Sequence, residues 1–272
     1  MNQFKIDETR CIQCGECATD CPAGVIAMQD YPVMTDEEGC IRCQHCLAVC
    51  PTAAVSILDR DPDMSIFLKG NLPGPLQMAA LIKGRRSVRR YQEANVPADL
   101  LDELLETAWH APTGVNNQGV LFTVVRDRTV LASLRQEVHA RVEKLAAAGG
   151  LPEGMVGRYL SLVLSAWKES ENDVLFRGAP HLLITSSPAS APCPVQDAHI
   201  ALATFDLLAQ SRGLGTLWDG IFMMALGLFP DLTRRLGIPE DHLVGYAMVF
   251  GLPAVQYHRT VQRGPARLNV VK

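Results

Sequence analysis

Beyond Cys50 the chain has one cysteine, Cys193, in all the rest of its 272 residues. The larger part of the protein therefore has no disulfide framework and must stand on an apolar core. Long hydrophobic runs are also missing. None approaches the ~20 consecutive apolar residues that span a bilayer, so no membrane partner is expected. Nor is there a basic excess: 25 Lys and Arg face 29 Asp and Glu, for a formal net charge of −4. That balance excludes a general nucleic-acid binder, which relies on attraction to phosphates. The opening residues, MNQFKIDETRC, lack the charged segment and apolar stretch of a secretory signal. The expected location is the cytoplasm, where thiols stay reduced and structural disulfides are rare.

What the chain does have is a concentration of cysteine at its start. Cys11, Cys14, Cys17 and Cys21 are followed by Cys40, Cys43, Cys46 and Cys50, and each group reads C-x2-C-x2-C-x3-C-P. The second group is the first displaced by 29 residues; Asp7 and Glu8 map onto Asp36 and Glu37, Ile12 onto Ile41, and Pro22 onto Pro51. Such cysteines can bind zinc, pair as disulfides or hold a redox cluster. A zinc site usually takes two C-x2-C pairs separated by a longer loop, whereas here a third cysteine follows at once. The run resembles bacterial two-cluster ferredoxins, in which the fourth cysteine of each run serves the other cluster. That resemblance implies two [4Fe-4S] clusters, one on Cys11, Cys14, Cys17 and Cys50, the other on Cys40, Cys43, Cys46 and Cys21. Crossed ligation would also close a domain too small to stand on its own core. The repeated acidic pairs read as solvated turn residues, and Cys193 as a small inert side chain.

After AAVSIL the text becomes DRDPDMSIFLKGNLPGP, an aperiodic stretch of prolines, glycines and polar residues that reads as a linker. The expected organisation is a first domain over 1–60, a linker over 61–76 and a second domain over 77–272. In that domain, PADLLDELLETAWHA carries Leu100, Leu101, Leu104, Leu105 and Ala108 on one helical stripe, with Pro97 near the first turn. VLFTVVRD, HLLITSS and LVGYAMVFG read as buried strands, and QDAHIALATFDLLAQSRGLG as a long apolar helix ended by glycine. The helix suits either a dimer interface or burial within one subunit. Helices and strands mix without regular βαβ repetition, so the expected fold class is α+β.

Four segments of this domain carry candidate chemistry. KGRRSVRRY crowds Lys83, Arg85, Arg86, Arg89 and Arg90 around Ser87, and guanidinium and hydroxyl donors suit a phosphate, although a solvated basic face has the same composition. HAPTGVNNQGVLFTVV places Pro112, Thr113, Gly114, Asn116, Asn117 and Gln118 between a helix and a strand, where amides and backbone N–H groups can meet a polar planar ligand. In RGLGTLWDGIF, Gly213 and Gly215 start a G-x-G-x-x-G pattern, but Trp218 stands at the third glycine and a helix precedes, so the dinucleotide fingerprint fails. YHRTVQRG brings Arg259 and Arg263 near the C-terminus.

Taken in this order, the four segments resemble the nitroreductase family of FMN flavoproteins over about residues 77–263, and with the cysteine runs ahead of them the chain resembles ferredoxin–nitroreductase fusions. The resemblance implies Arg85, Arg86, Ser87 and Arg89 around the FMN phosphate and ribityl chain, with Arg259 and Arg263 as the C-terminal pair and Arg263 closing on the phosphate. It implies Pro112, Thr113, Gly114 and Asn116 along the isoalloxazine from the second subunit of a homodimer. It implies Trp218, Asp219 and Gly220 near N5, where a backbone N–H would tune the flavin. Gly119 and Val120 depart from the family's Pro-aromatic pair, so no substrate is carried over. His45 and His110 read as surface or packed histidines. The leading reading is a redox enzyme in which the clusters pass electrons to FMN for two-electron reduction of a small organic acceptor, with ferredoxin or NAD(P)H as donor. The others are a module relaying electrons to a partner protein, and a flavin-remodelling or dehalogenating enzyme.

Overall fold

The computed structural model describes residues 3–271; Met1, Asn2 and Lys272, at the outer ends of the two expected domains, lie outside the described residues. The chain divides into two compact units. One is Met1–Pro73 with Val115–Asn117; the other is Gly74–Gly114 with Gln118–Lys272.

The first unit is built twice from one pattern: β1 (Lys5–Ile6), α1 (Glu16–Thr19) and β2 (Ile26–Met28), then β3 (Pro32–Met34), α2 (His45–Val49) and β4 (Val55–Ser56). β1 pairs with β4 and β2 with β3, all antiparallel, so each half closes the other's sheet. The sequence repeat is also a repeat of backbone conformation. Gln13, Gly15 and Gly24 have positive φ, and so do Arg42, Gln44 and Ala53, their counterparts 29 residues on. Four of these six, Gln13, Arg42, Gln44 and Ala53, are neither glycine nor asparagine and adopt a region that costs ~1 kcal/mol or more. The turns thus hold their cysteines against local preference. Cys17, Val25, Ile26, Cys46, Leu47, Val55 and Ile57 form the small core. After β4, Asp61 caps a single 3-10 turn (Pro62–Met64), and Arg10 clasps both Asp63 oxygens at 3.1 and 2.9 Å. Beyond it Met64, Ile66, Phe67, Leu68 and Leu72 are exposed.

The second unit runs α3 (Pro75–Gly84), α4 (Ala98–Ala108), β5 (Leu121–Val125), α5 (Arg128–Ala147), α6 (Met155–Ser170), β6 (His181–Pro188), α7 (Pro194–Ser211), β7 (Gly215–Trp218), α8 (Gly220–Leu228), α9 (Asp231–Arg235) and β8 (His242–Gly251). Its sheet has the order β5-β6-β8-β7 and is antiparallel throughout. Successive residues of a strand point to opposite faces, and both faces here are covered. Leu182 and Ile184 of β6, with Ala247 and Val249 of β8, join α5, α6 and α8 in one core. Leu183, Met248 and Phe250 join α4 and α7 in the other. This explains why HLLITSS is apolar without alternation. α7 places Ala198, Ala201, Leu202, Phe205 and Ala209 against the sheet of its own chain, which assigns the apolar face of this helix to the core. The fold is α+β. No helix among the described residues is long and apolar enough to cross a membrane.

Candidate cofactor sites

In the first unit, the cysteines line two cavities. Cys11, Cys14, Cys17 and Cys50 surround one with Met28, Pro32 and Val55; Cys21, Cys40, Cys43 and Cys46 surround the other with Val25, Ile26 and Ile57. Among the described residues no three His, Cys, Asp or Glu side chains are gathered tightly enough for a single metal ion. Four sulfurs spaced around an apolar cavity fit a larger inorganic core better than a zinc ion. Burial pushes the Cys46 thiol up to about 11. A thiolate there is costly unless a cation compensates it. Burial also acts on Cys50, but the Ala54 N–H donating to its sulfur at 3.2 Å and contacts with Thr52 outweigh it and lower the pKa. His45 Nδ1 meets Asp20 Oδ2 at 3.2 Å on the surface.

In the second unit, Lys83, Arg85 and Arg86 from the end of α3 meet Thr260, Gln262 and Arg263 of the C-terminal segment around a cleft of about 810 Å³. Arg86 donates to the Lys83 carbonyl at 2.9 Å. Arg85 Nη1 and Arg86 Nε are buried without a hydrogen-bond partner. Buried donors of this kind are rare unless a ligand satisfies them, and three guanidinium groups suit a phosphate. The residues present therefore fit the phosphate end of FMN.

A buried carboxylate that the sequence reading did not single out organises this region. Asp206 of α7 accepts from Thr216 Oγ1 at 2.5 Å and Trp218 Nε1 at 2.9 Å, and Arg85 Nε lies 3.7 Å from it. It thus joins an arginine of the cleft to the indole at the end of β7. The detectable signal was its place on the apolar stripe of α7, in line with Ala198, Leu202 and Ala209. Gly215 is required here, because a Cβ would come within 2.8 Å of Val88 side-chain atoms, where the segment around Ser87 runs parallel to the edge strand β7 and bridges to Thr216. A Cβ on Gly220 would lie 2.9 Å from the Tyr246 hydroxyl.

Trp218, Asp219 and Gly220 follow one another at the β7–α8 junction. Asp219 caps α8 by accepting from Phe222 N at 2.9 Å, while its buried Oδ2 has no partner. Burial pushes its carboxyl up to about 7, against the opposing Phe222 hydrogen bond. Relative to the ordinary 3.8, the folded state holds the proton more tightly. The stability contributed by that proton is complete below about 4 and is lost as pH rises through about 7. We expect Asp219→Asn to remove a pH-dependent loss on the order of a few kcal/mol. Measured anaerobically on the holoprotein, the variant's unfolding midpoint should exceed that of wild type by several degrees at pH 8 and match it at pH 4. A uniform offset at both pH values would contradict this.

The remaining expected site residues are dispersed. Ser87 is bridged through its backbone to Thr216. Arg89 donates to the Ser87 carbonyl at 3.2 Å and lines a different cleft from Arg85 and Arg86. Arg259 is exposed and does not line the arginine cleft. Pro112 is exposed; the Thr113 hydroxyl accepts from Gln118 N at 2.9 Å; Gly114 N donates to both oxygens of buried Asp197 at 3.0 and 3.2 Å. Val115, Asn116 and Gln118 all have positive φ, and Asn116 Nδ2 donates to the Ile41 carbonyl at 2.9 Å within the first unit. For a β-branched residue such as Val115 this conformation is strained.

Comparison with known proteins adds the following. The profile of the Nitroreductase family matches residues 82–252, and that of the 4Fe-4S dicluster domain matches residues 3–51. A Methanothermobacter thermautotrophicus protein with the provisional name NADH dehydrogenase/NAD(P)H nitroreductase is 30% identical over 64% of this chain and 75% of its own length. Iodotyrosine deiodinase of Thermotoga neapolitana is 28% identical over 50% of this chain and 70% of its own. The crystal structure of a Bacteroides fragilis nitroreductase with bound FMN superposes with a TM-score of 0.56 and 25% identity, covering 71% of this chain and 99% of that one.

Proposed function

From the premise that the chain belongs to the Nitroreductase family of FMN-dependent oxidoreductases and carries a 4Fe-4S dicluster domain ahead of that family's core, we propose that it is an iron–sulfur flavoprotein reducing a small organic acceptor, a nitroaromatic or quinone, by two electrons. The clusters when bound supply single electrons and FMN exchanges single for paired electrons. Every other part is played by the chain. Cys11, Cys14, Cys17 and Cys50 hold one cluster, and Cys40, Cys43, Cys46 and Cys21 the second. Arg85, Arg86 and Arg263 hold the flavin phosphate, Asp206 orients Arg85 and Trp218, and the Gly220 N–H faces the N5 edge. A homodimer of this chain completes the site from Pro112, Thr113, Gly114 and Asn116. Its setting is cytoplasmic.

The observation that carries this reading is the arginine cleft, whose buried guanidinium nitrogens lack partners in a chain that also surrounds two cavities with four cysteines each. The test is an anaerobic screen of nitroaromatics and quinones with reduced ferredoxin and with NAD(P)H as donors. Turnover of at least one acceptor by flavin-loaded protein is expected; none with either donor would contradict it. The deiodinase relative favours a second reading, reductive dehalogenation, which release of iodide from an iodophenol in the same screen would reveal.

A further inference from the structure

The two cysteine runs repeat in sequence but differ in what surrounds their last sulfur. The Ala54 N–H donates to Cys50 Sγ at 3.2 Å, and Thr52 Oγ1 lies 3.7 Å from the same sulfur. A ligating thiolate has only lone pairs to offer, so both groups act as donors. Cys21 holds the equivalent place 29 residues earlier. The counterpart of Thr52 there is Ala23, which has no hydroxyl, and among the described residues no donor reaches the Cys21 sulfur.

The donating peptide is supported from behind. The carbonyl and N–H of a trans peptide point in opposite directions, so the Ala53 carbonyl faces away from the sulfur that the Ala54 N–H meets. Arg10 Nη1 donates to that carbonyl at 3.1 Å. Asp63 holds Arg10 Nη2 at 3.1 and 2.9 Å, and Asp7 lies 4.0 Å from its Nε. These carboxylates offset part of the charge but fix the guanidinium in place. A donor on the carbonyl polarises the peptide and strengthens its N–H. Nor can the peptide turn away. Ala54 is buried, its own carbonyl accepts from Asp7 N at 2.8 Å, and Val55 beside it pairs with Ile6. The counterpart of Arg10 in the second run is Gly39, so this support too is confined to one cavity. Solvent acts in the same sense: Cys14 is exposed, whereas its counterpart Cys43 is half-buried. Reduction adds negative charge that spreads over the sulfurs. Hydrogen bonds to sulfur and contact with water stabilise that charge and raise the potential.

We propose that Arg10 is a positioning residue. Acting through the Ala53–Ala54 peptide and together with Thr52, it sets the reduction potential of the cluster on Cys11, Cys14, Cys17 and Cys50 above that of the cluster on Cys21, Cys40, Cys43 and Cys46. The inference rests on the two-cluster reading proposed above. Each cluster takes one electron, supplied in the test by dithionite, and the donors favour the form that holds it. The experiment is an anaerobic reductive titration of the full-length holoprotein followed by electron paramagnetic resonance. Cys43→Ser isolates the cluster with the higher midpoint, and Cys14→Ser the one with the lower. In the Cys43→Ser background, Thr52→Val should shift the reduction equilibrium about tenfold toward the oxidised form, ~59 mV for one electron, and Thr52→Ser should restore it. Arg10→Gln should shift the same equilibrium severalfold in the same direction, and Arg10→Lys should recover most of the shift, with iron and FMN content unchanged. In the Cys14→Ser background the same substitutions should leave the midpoint alone, a contrast that general loosening of the unit would not produce. If the Cys50-ligated cluster has the lower potential, or if Thr52→Val and Arg10→Gln move both midpoints or neither, the inference is overturned while the two-cluster reading stands. A wild type without two distinct clusters overturns both.

Discussion

Anaerobically purified wild-type protein is expected to carry close to eight iron and eight sulfide per chain, and Cys43→Ser to lose about half of that iron while keeping its FMN. The effect is large because a four-iron core is held by all four of its thiolates, and serine replaces a soft ligand with a hard one. The crossed arrangement makes a sharper expectation. Cys50 lies in the second run, yet it lines the cavity of Cys11, Cys14 and Cys17. Cys50→Ser and Cys14→Ser should therefore perturb the same cluster and leave the same residual electron paramagnetic resonance signal, while Cys43→Ser leaves the other. The prediction fails if Cys50→Ser pairs instead with Cys43→Ser, or if the wild type holds stoichiometric zinc with little iron.

The second large effect concerns flavin retention. Arg86 has a buried guanidinium nitrogen without a partner, whereas Arg263 is exposed. A charge-assisted hydrogen bond is worth ~1.5–3 kcal/mol, and ~1.4 kcal/mol is tenfold in affinity. Arg86→Ala should thus weaken FMN binding by about a hundredfold, and Arg263→Ala, screened by solvent, by about tenfold. Salt separates them further: raising ionic strength should shrink the Arg263 effect and spare that of Arg86. Arg259→Ala, outside the cleft, should change little. Fluorescence titration of flavin-stripped protein measures all three; equal losses at Arg259 and Arg86 would show that the phosphate sits elsewhere.

Much of the architecture could be read directly from the residues. The α4 stripe of Leu101, Leu104 and Ala108 is buried as its spacing requires, and the apolar runs at Leu121, His181 and Leu243 fall in β5, β6 and β8. α5 was not singled out: Leu131, Leu134, Val138 and Val142 share its buried face, but the apolar stripe is weaker than that of α4. Nor was β7, because GTLW is short and follows a helix in a loop-like context. The site was less legible for a definite reason. Arg85, Arg86 and Arg89 are neighbours in the sequence, but Val88 between them is plugged into the core and its N–H is bound to the Thr216 carbonyl at 2.8 Å. That anchor divides the arginines between two clefts. Asp206 and Asp197 stand on the buried side of α7, but the spacing of the helix does not name their partners: Thr216 and Trp218 of β7 for the first, the Gly114 N–H of a loop for the second. The cysteine repeat was legible because its spacing is itself the geometry, down to the matching positive φ values of the two halves.

The central claim is that the cysteine-rich unit feeds electrons to the flavin of the same chain. Tethering donor and acceptor raises their effective concentration, so electrons need not await a bimolecular encounter. The most direct measurement is anaerobic flavin bleaching in wild type and Cys43→Ser, each loaded with FMN and mixed with reduced ferredoxin or with dithionite. The account predicts that dithionite bleaches both proteins alike, and that ferredoxin bleaches wild type readily but Cys43→Ser at least tenfold more slowly. Equal bleaching of both by ferredoxin would take the clusters off the electron path and leave them a structural role.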